Sequence, residues 1–165
     1  MTVKSYQIIV LFVCTGNICR SPTAEGLFLS MAASLGITSQ VRADSAGTSN
    51  YHIGEAPDWR TRRAALAHGL DLGKQRARQV NPEDFDTFNY LIAMDQTHLD
   101  ELARLSPTNH AARIGLLLDY APEMNKRNVP DPYFGGVDGF THVLDLIEAG
   151  VAGLLQEVRR TIKSL

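Results

Sequence analysis

Only two cysteines occur in the 165 residues, and they stand five positions apart as Cys14 and Cys19. A secreted disulfide scaffold would use more cysteines and spread them along the chain, so the pattern reads as a reduced compartment. Basic charge is not in excess, since the net charge is -2, which argues against general nucleic-acid binding. The two local basic clusters, Arg60-Arg62-Arg63 and Lys74-Arg76-Arg78, read as solvated helix and loop surface. No apolar stretch reaches membrane-spanning length, so no membrane insertion is expected. The apolar run at 8–13 is shorter than a usual signal-peptide core and no small-residue cleavage site follows it. Val13 is bulky where a lipid-attachment cysteine would be preceded by a small residue. Internal repeats, low-complexity tracts and linkers are lacking as well. The expectation is a soluble cytoplasmic protein with one domain over residues 1–165, whose 44% hydrophobic content can supply a substantial core.

What the chain does have is an alternation of strand and helix signals. Gln7 to Val13 is continuously apolar and rich in β-branched residues, as in a strand buried on both faces. A helix is predicted from Ser21 to about Leu35, with Ser21 as N-cap, Pro22 at the first helical position, Glu25 in the first turn and Gly36 as terminator. Gln40–Ala43 reads as a short strand, and Asp44 to Pro57 as a loop. A second helix starts near Asp58 and ends at His68-Gly69. Asn81 to Asp84 opens a short turn or helix, Tyr90–Met94 is a buried strand, and Gln96–Leu105 is a helix stopped by Ser106-Pro107. Arg113–Leu118 is a fourth strand and 130–136 is a loop dense in proline and glycine. From Asp138 to Lys163, apolar residues recur at helical spacing. This alternation predicts a small α/β domain with a parallel sheet.

Both cysteines lie in Cys14-Thr15-Gly16-Asn17-Ile18-Cys19-Arg20-Ser21, directly after the first strand. Ligands in open α/β folds bind beyond the carboxyl ends of strands, where this loop sits. Its backbone N–H groups can converge on an anion beside a helix N-terminus. Gly16 permits an unusual backbone angle and Asn17 tolerates the left-handed region. The planar fork of Arg20 can hold two phosphate oxygens. The same surroundings favour a thiolate, and the Ser21 hydroxyl could donate to the Cys14 sulfur. An activated cysteine in a phosphate cradle implies a thiophosphate intermediate. Such chemistry needs a general acid, and Asp131-Pro132-Tyr133-Phe134-Gly135 offers one: Asp131 in a loop stiffened by Pro130 and Pro132, with Tyr133 and Phe134 to wall an aromatic cleft.

Taken together, Val13 to Pro22, Ala24-Glu25, Asp44 to Gly47, Tyr51, Pro57-Asp58, Ala77-Arg78-Gln79, Met94-Asp95 and Asp131-Pro132-Tyr133 resemble the low-molecular-weight protein tyrosine phosphatase family over nearly the whole chain. The resemblance implies a three-layer α/β/α fold with a four-stranded parallel sheet of flavodoxin-like order, and two-step phosphomonoester hydrolysis with no metal and no cofactor. It implies Cys14 as nucleophile, Arg20 as phosphate binder and Asp131 as general acid. It further implies Thr15, Gly16, Asn17, Ile18, Cys19, Tyr51, Tyr133 and Phe134 around the substrate, with Ser21 stabilising the sulfur and Ser45 holding Asn17. Cys19 resembles the family's second loop cysteine, which forms a reversible disulfide with Cys14 and protects it from overoxidation. The implied partners are tyrosine-phosphorylated proteins and a cognate tyrosine kinase, with the chain a monomer or weak dimer. Gln75 departs from relatives that carry a histidine there. His68 is a candidate to pair with Asp95, and His52, His98, His110 and His142 read as surface or internally satisfied residues.

Other readings are open at this level. Protein arginine phosphatases resemble the chain but tend to carry threonine at the position of Ile18. Arsenate reductases of this fold pass a disulfide along further cysteines, which this chain lacks. A non-catalytic phospho-ligand binding module would keep the cradle and lose the nucleophile or the acid. A nucleotide P-loop would need a lysine after the glycine at a spacing not found here.

Overall fold

The structure, a computed structural model, describes residues 6–134 and 136–165. Gly135 and the Phe134 side chain lie outside the described residues. Four parallel strands, β1 (Ile8–Cys14), β2 (Val41–Gly47), β3 (Tyr90–Ala93) and β4 (Arg113–Leu116), lie side by side in the order β2-β1-β3-β4. Helices α1 (Arg20–Ser34), α2 (Trp59–Ala67), α3 (Asp84–Thr87), α4 (Gln96–Leu105) and α5 (Gly136–Lys163) connect and cover them. The parallel sheet expected from the alternation, and the four strands in flavodoxin-like order that the resemblance implies, are observed.

The all-apolar β1 divides its side chains between two cores. Ile8, Val10, Phe12 and Cys14 face α1 and α5, whereas Leu11 and Val13 join Leu91, Leu102 and Leu116 on the α4 side. Alternation along the strand accounts for the split. Phe12 packs edge-on against Phe28 of α1 with ring centroids 5.7 Å apart. Each such buried side chain contributes about 1.5–3 kcal/mol.

Three boundaries differ from the sequence expectation. β2 runs through Asp44 and Ser45 to Gly47 instead of stopping at Ala43, because β1 pairs with it as far as Cys14 opposite Gly47. The polar side chains are satisfied there: Arg78 Nε donates to Asp44 Oδ2 at 3.1 Å, and Ser45 Oγ donates to Glu25 Oε1 at 2.7 Å. β4 stops at Leu116 because Leu117 and Leu118 both bury in the α1/α5 core. Strand alternation forbids two successive residues on one side, and a 3-10 turn over Leu117–Tyr120 allows it. α1 begins at Arg20, capped by Cys19 without a side-chain bond, so Ser21 is not the N-cap and Glu25 lies past the first turn.

The sheet's connectivity changes direction between β1 and β3, and a crevice opens there beyond their carboxyl ends. The loop after β1 enters it from one side and the β3–α4 junction from the other.

Candidate active site

Cys14 ends β1 and is buried, with its Sγ 3.0 Å from the Ser21 hydroxyl in the first turn of α1. That hydroxyl accepts from Asn17 Nδ2 at 2.8 Å, and for its own proton the Cys14 sulfur at 3.0 Å is a nearer acceptor than Ala46 O at 3.5 Å. Having lost its expected capping role, Ser21 is spent on the cysteine.

Asn17 holds the loop in shape. Its φ of 57° is the left-handed conformation anticipated for it, whereas Gly16 is not in the positive-φ region. Gly16 lies close to His52 instead: a Cβ there would stand 2.9 Å from Cδ2 of that half-exposed side chain, which would have to shift. The Asn17 amide donates to Ser21 Oγ and, at 3.0 Å, to Ser45 Oγ, while its Oδ1 accepts from the Arg78 backbone N–H at 3.0 Å. Ser45 passes the chain on to Glu25, whose carboxyl burial pushes up to about 7. Arg78, expected as solvated surface, is thus part of the loop's frame and is pinned by Asp44 and Asp84.

The Arg20 side chain is buried and clamped from behind. Nη1 donates to Asp95 Oδ2 at 2.8 Å and to Val129 O at 3.0 Å. Nη2 lies 3.5 Å from His98 Nε2 and 4.0 Å from Asp131 Oδ2. Burial acts to raise the Asp95 carboxyl, but the Thr97 hydroxyl, His98 and Arg20 hold it below the usual carboxylate range. His98 Nε2 also lies 2.7 Å from Thr15 Oγ1. Only 2% exposed, His98 is depressed to about 4 by burial and by the Arg20 charge, so it is neutral near pH 7. Its Nδ1 faces Asp95 Oδ1 at 3.2 Å, out of line for a hydrogen bond.

Cys14, Thr15, Gly16, Ile18, Cys19, Arg20, His52, Asp131 and Tyr133 line one cleft of ≈ 230 Å³. Asp131 is exposed at its rim, its Oδ1 accepting from the Tyr133 backbone N–H at 3.0 Å. Cys19 is buried in the wall and its thiol is pushed up to about 12, chiefly by that burial. Both cysteines are free thiols.

The structure therefore gathers most of the residues singled out in the sequence and rearranges a few. Asn17 is buried behind the cleft, not in it. Tyr51 is 81% exposed and does not line the cleft. His68 does not meet Asp95; it closes α2 with Nδ1 3.2 Å from Ala64 O, while Asp95 caps α4 and pairs with Arg20. Gln75, standing in place of a histidine, donates from Nε2 to Pro22 O at 3.0 Å and so steadies the start of α1. His98 is buried and bonded to Thr15, and His52 is a surface residue 2.6 Å from Glu55 Oε2, as expected of surface or internally satisfied histidines. Both also belong to the site: His98 behind Arg20 and His52 in the cleft wall. Spacing alone held one clue for His98: it follows Asp95 by one helical turn, just after a buried strand that ends at the crevice.

Comparison with known proteins agrees with this geometry. The family described as "Low molecular weight phosphotyrosine protein phosphatase" matches residues 9–164. A low molecular weight protein-tyrosine-phosphatase of Streptomyces coelicolor is 44% identical, over 93% of this chain and 95% of its own. The crystal structure of YfkJ from Bacillus subtilis superposes with a TM-score of 0.89 at 39% identity, covering 95% of this chain and 98% of that one. A Drosophila arginine phosphatase structure superposes with a TM-score of 0.85 at 31% identity, over 90% and 96% of the two chains.

Proposed function

The chain belongs to the low molecular weight phosphotyrosine protein phosphatase family, and from that premise we propose which of its residues carry the hydrolysis. It is a protein-tyrosine-phosphatase of that class, a phosphoric monoester hydrolase. The observation that carries the assignment is the meeting of Cys14, Arg20 and Asp131 in one cleft, with the Ser21 hydroxyl 3.0 Å from the cysteine sulfur.

The Cys14 sulfur attacks phosphorus in line with the leaving phenolic oxygen. A sulfur–phosphorus bond forms as the phosphorus–oxygen bond breaks, and Asp131 gives its proton to the departing phenolate. Arg20 and the loop amides bear the charge on the equatorial oxygens. Because Nη1 is spent on Asp95 and Val129, the Nε–H and a Nη2–H remain for the phosphate. Water then attacks the thiophosphate while Asp131 takes one of its protons. The sulfur leaves, stabilised by the Ser21 hydroxyl, and inorganic phosphate is released. Ile18 and Tyr133 offer apolar and aromatic surface to the tyrosyl ring, and Thr15, Gly16 and Cys19 complete the cradle. Asn17 and Ser45 hold its shape. Phe134 completes the aromatic wall in this reading.

We take residues 1–165 as one catalytic unit, working in the cytoplasm as a monomer or weak dimer on tyrosine-phosphorylated proteins, with the kinase that makes them as a partner. Among the described residues no helix is long and apolar enough to cross a membrane. Reversible pairing of Cys14 with Cys19 is part of the proposal: a peroxide oxidises the Cys14 sulfur to a sulfenic acid, and the Cys19 sulfur then displaces water from it to close the disulfide.

Hydrolysis of matched phosphotyrosine, phosphoarginine and phosphoserine peptides, with reductant and without metal, tests the substrate. Preference for phosphotyrosine is expected, in keeping with Ile18 in the cleft. Preference for phosphoarginine would overturn the substrate class and keep the mechanism.

A further inference from the structure

Beside the cleft lies a second depression of ≈ 400 Å³ between α2 and α5 that the hydrolysis does not use. The sequence of α2 shapes it. Trp59 and Arg63 are one turn apart on the same helix face, and the small Ala64 and Ala67 form a low floor against Phe140 of α5. Trp59 remains 60% exposed, a large aromatic surface left in water.

The depression is continuous with the cleft through one side chain. The Arg60 guanidinium stacks on the Tyr133 ring, which lines the cleft, at 4.8 Å from its centroid. It stacks equally on the Phe140 ring, which lines the depression, at 4.9 Å. Arg60 is thus the partition between the two. Its charge is answered by Asp58, whose Oδ1 and Oδ2 each accept from the guanidinium at 3.1 Å. Arg63 pairs with no carboxylate among the described residues, so the depression keeps a positive charge over an apolar floor.

We propose that this groove docks the segment next to the phosphotyrosine in protein substrates, taking an acidic side chain at Arg63 and an apolar one against Trp59 and Phe140. The proposal rests on the phosphotyrosine reading of the neighbouring cleft. Because Arg60 bridges Tyr133 and Phe140, a substrate chain that leaves the cleft on the Tyr133 side passes directly onto this groove. An exposed cation with an adjacent aromatic is the chemistry that selects acidic and apolar neighbours, and tryptophan and arginine are the residues that most often anchor such contacts.

The test uses phosphotyrosine peptides in which one glutamate, and separately one leucine, is moved position by position along either flank, with p-nitrophenyl phosphate as a substrate that cannot reach the groove. The best glutamate register is expected to raise kcat/KM up to about fivefold over its glutamine counterpart, and the best leucine register about tenfold over its alanine counterpart. Arg63→Glu should reverse the glutamate preference, and Trp59→Ala should abolish the leucine preference. Equal turnover of all registers, or preferences that survive both substitutions, overturns the groove while leaving the phosphatase reading intact. Turnover of p-nitrophenyl phosphate with no phosphopeptide hydrolysed would instead overturn the protein-phosphatase reading. A self-association that Trp59→Ala abolishes, without any peptide preference, would assign the groove to a second copy of the chain and overturn the proposal.

Discussion

His98 Nε2 lies 2.7 Å from Thr15 Oγ1, so the first turn of α4 is tied to the phosphate loop across the crevice between β1 and β3. The same nitrogen lies 3.5 Å from Arg20 Nη2. A neutral imidazole with its proton on Nδ1 leaves Nε2 to accept from both. His98→Ala removes an acceptor from the hydroxyl and from the arginine at once. We expect kcat/KM to fall roughly tenfold, the worth of one or two hydrogen bonds. His98→Gln, which keeps an acceptor, should recover part of it. Unchanged kinetics in His98→Ala would show that Asp95 and Val129 alone orient Arg20.

Buried His98 and partly buried Glu25 give stability opposite dependences on pH. His98 titrates at about 4 in the folded chain, below its ordinary 6.5, so the unfolded chain binds the proton more readily. Its contribution is complete above the ordinary value and is lost as pH falls toward about 4. Glu25 is raised from 4.5 to about 7, so its contribution is complete below 4.5 and is lost as pH rises through about 7. Glu25→Gln should therefore raise stability on the alkaline side by up to roughly 3 kcal/mol and change it little in acid. Denaturant midpoints across pH check this; a stabilisation that grows toward acid would contradict it.

Gly47 sits where β2 meets the loop. A Cβ there would stand 2.6 Å from Thr15 O and 3.2 Å from Asn17 N, both backbone atoms with little room to move. Gly47→Ala should cost about 1–3 kcal/mol and displace the loop. A fall in kcat of on the order of a hundredfold, measured where the variant is still folded, is the expected sign of a misplaced cradle. Full activity would show that the loop tolerates the shift.

Asp131→Ala should slow substrates with poor leaving groups most, because a leaving group that departs as a stable anion needs no proton. A series of aryl phosphates, read as rate against leaving-group acidity, should show a steeper slope in the variant. An equal loss for all members would count against the proton-donor role.

Much of this was legible in the sequence, for reasons that particular residues make plain. The apolar run of β1, the Gly36 terminator at φ 72° and the amphipathic α5 follow local rules and appear where expected. Cys14, Arg20 and Ser21 were marked by spacing inside one loop. The sequence pattern ends β2 at Ala43 because Asp44 and Ser45 look like loop residues until Arg78, Asn17 and Glu25 are brought to them. Ser21 resembled an N-cap because a local pattern cannot reveal that its hydroxyl is needed by Cys14. His98, His52 and the frame role of Arg78 depend on contacts between distant segments, which residue spacing does not encode.

The most direct test of the account is rapid quenching of p-nitrophenyl phosphate turnover, followed by peptide mapping of the trapped chain. The account predicts a burst of p-nitrophenol and a phosphoryl group on the peptide that contains Cys14, both absent in Cys14→Ser. Turnover that persists in Cys14→Ser, or a phosphoryl group trapped on any other residue, would contradict it.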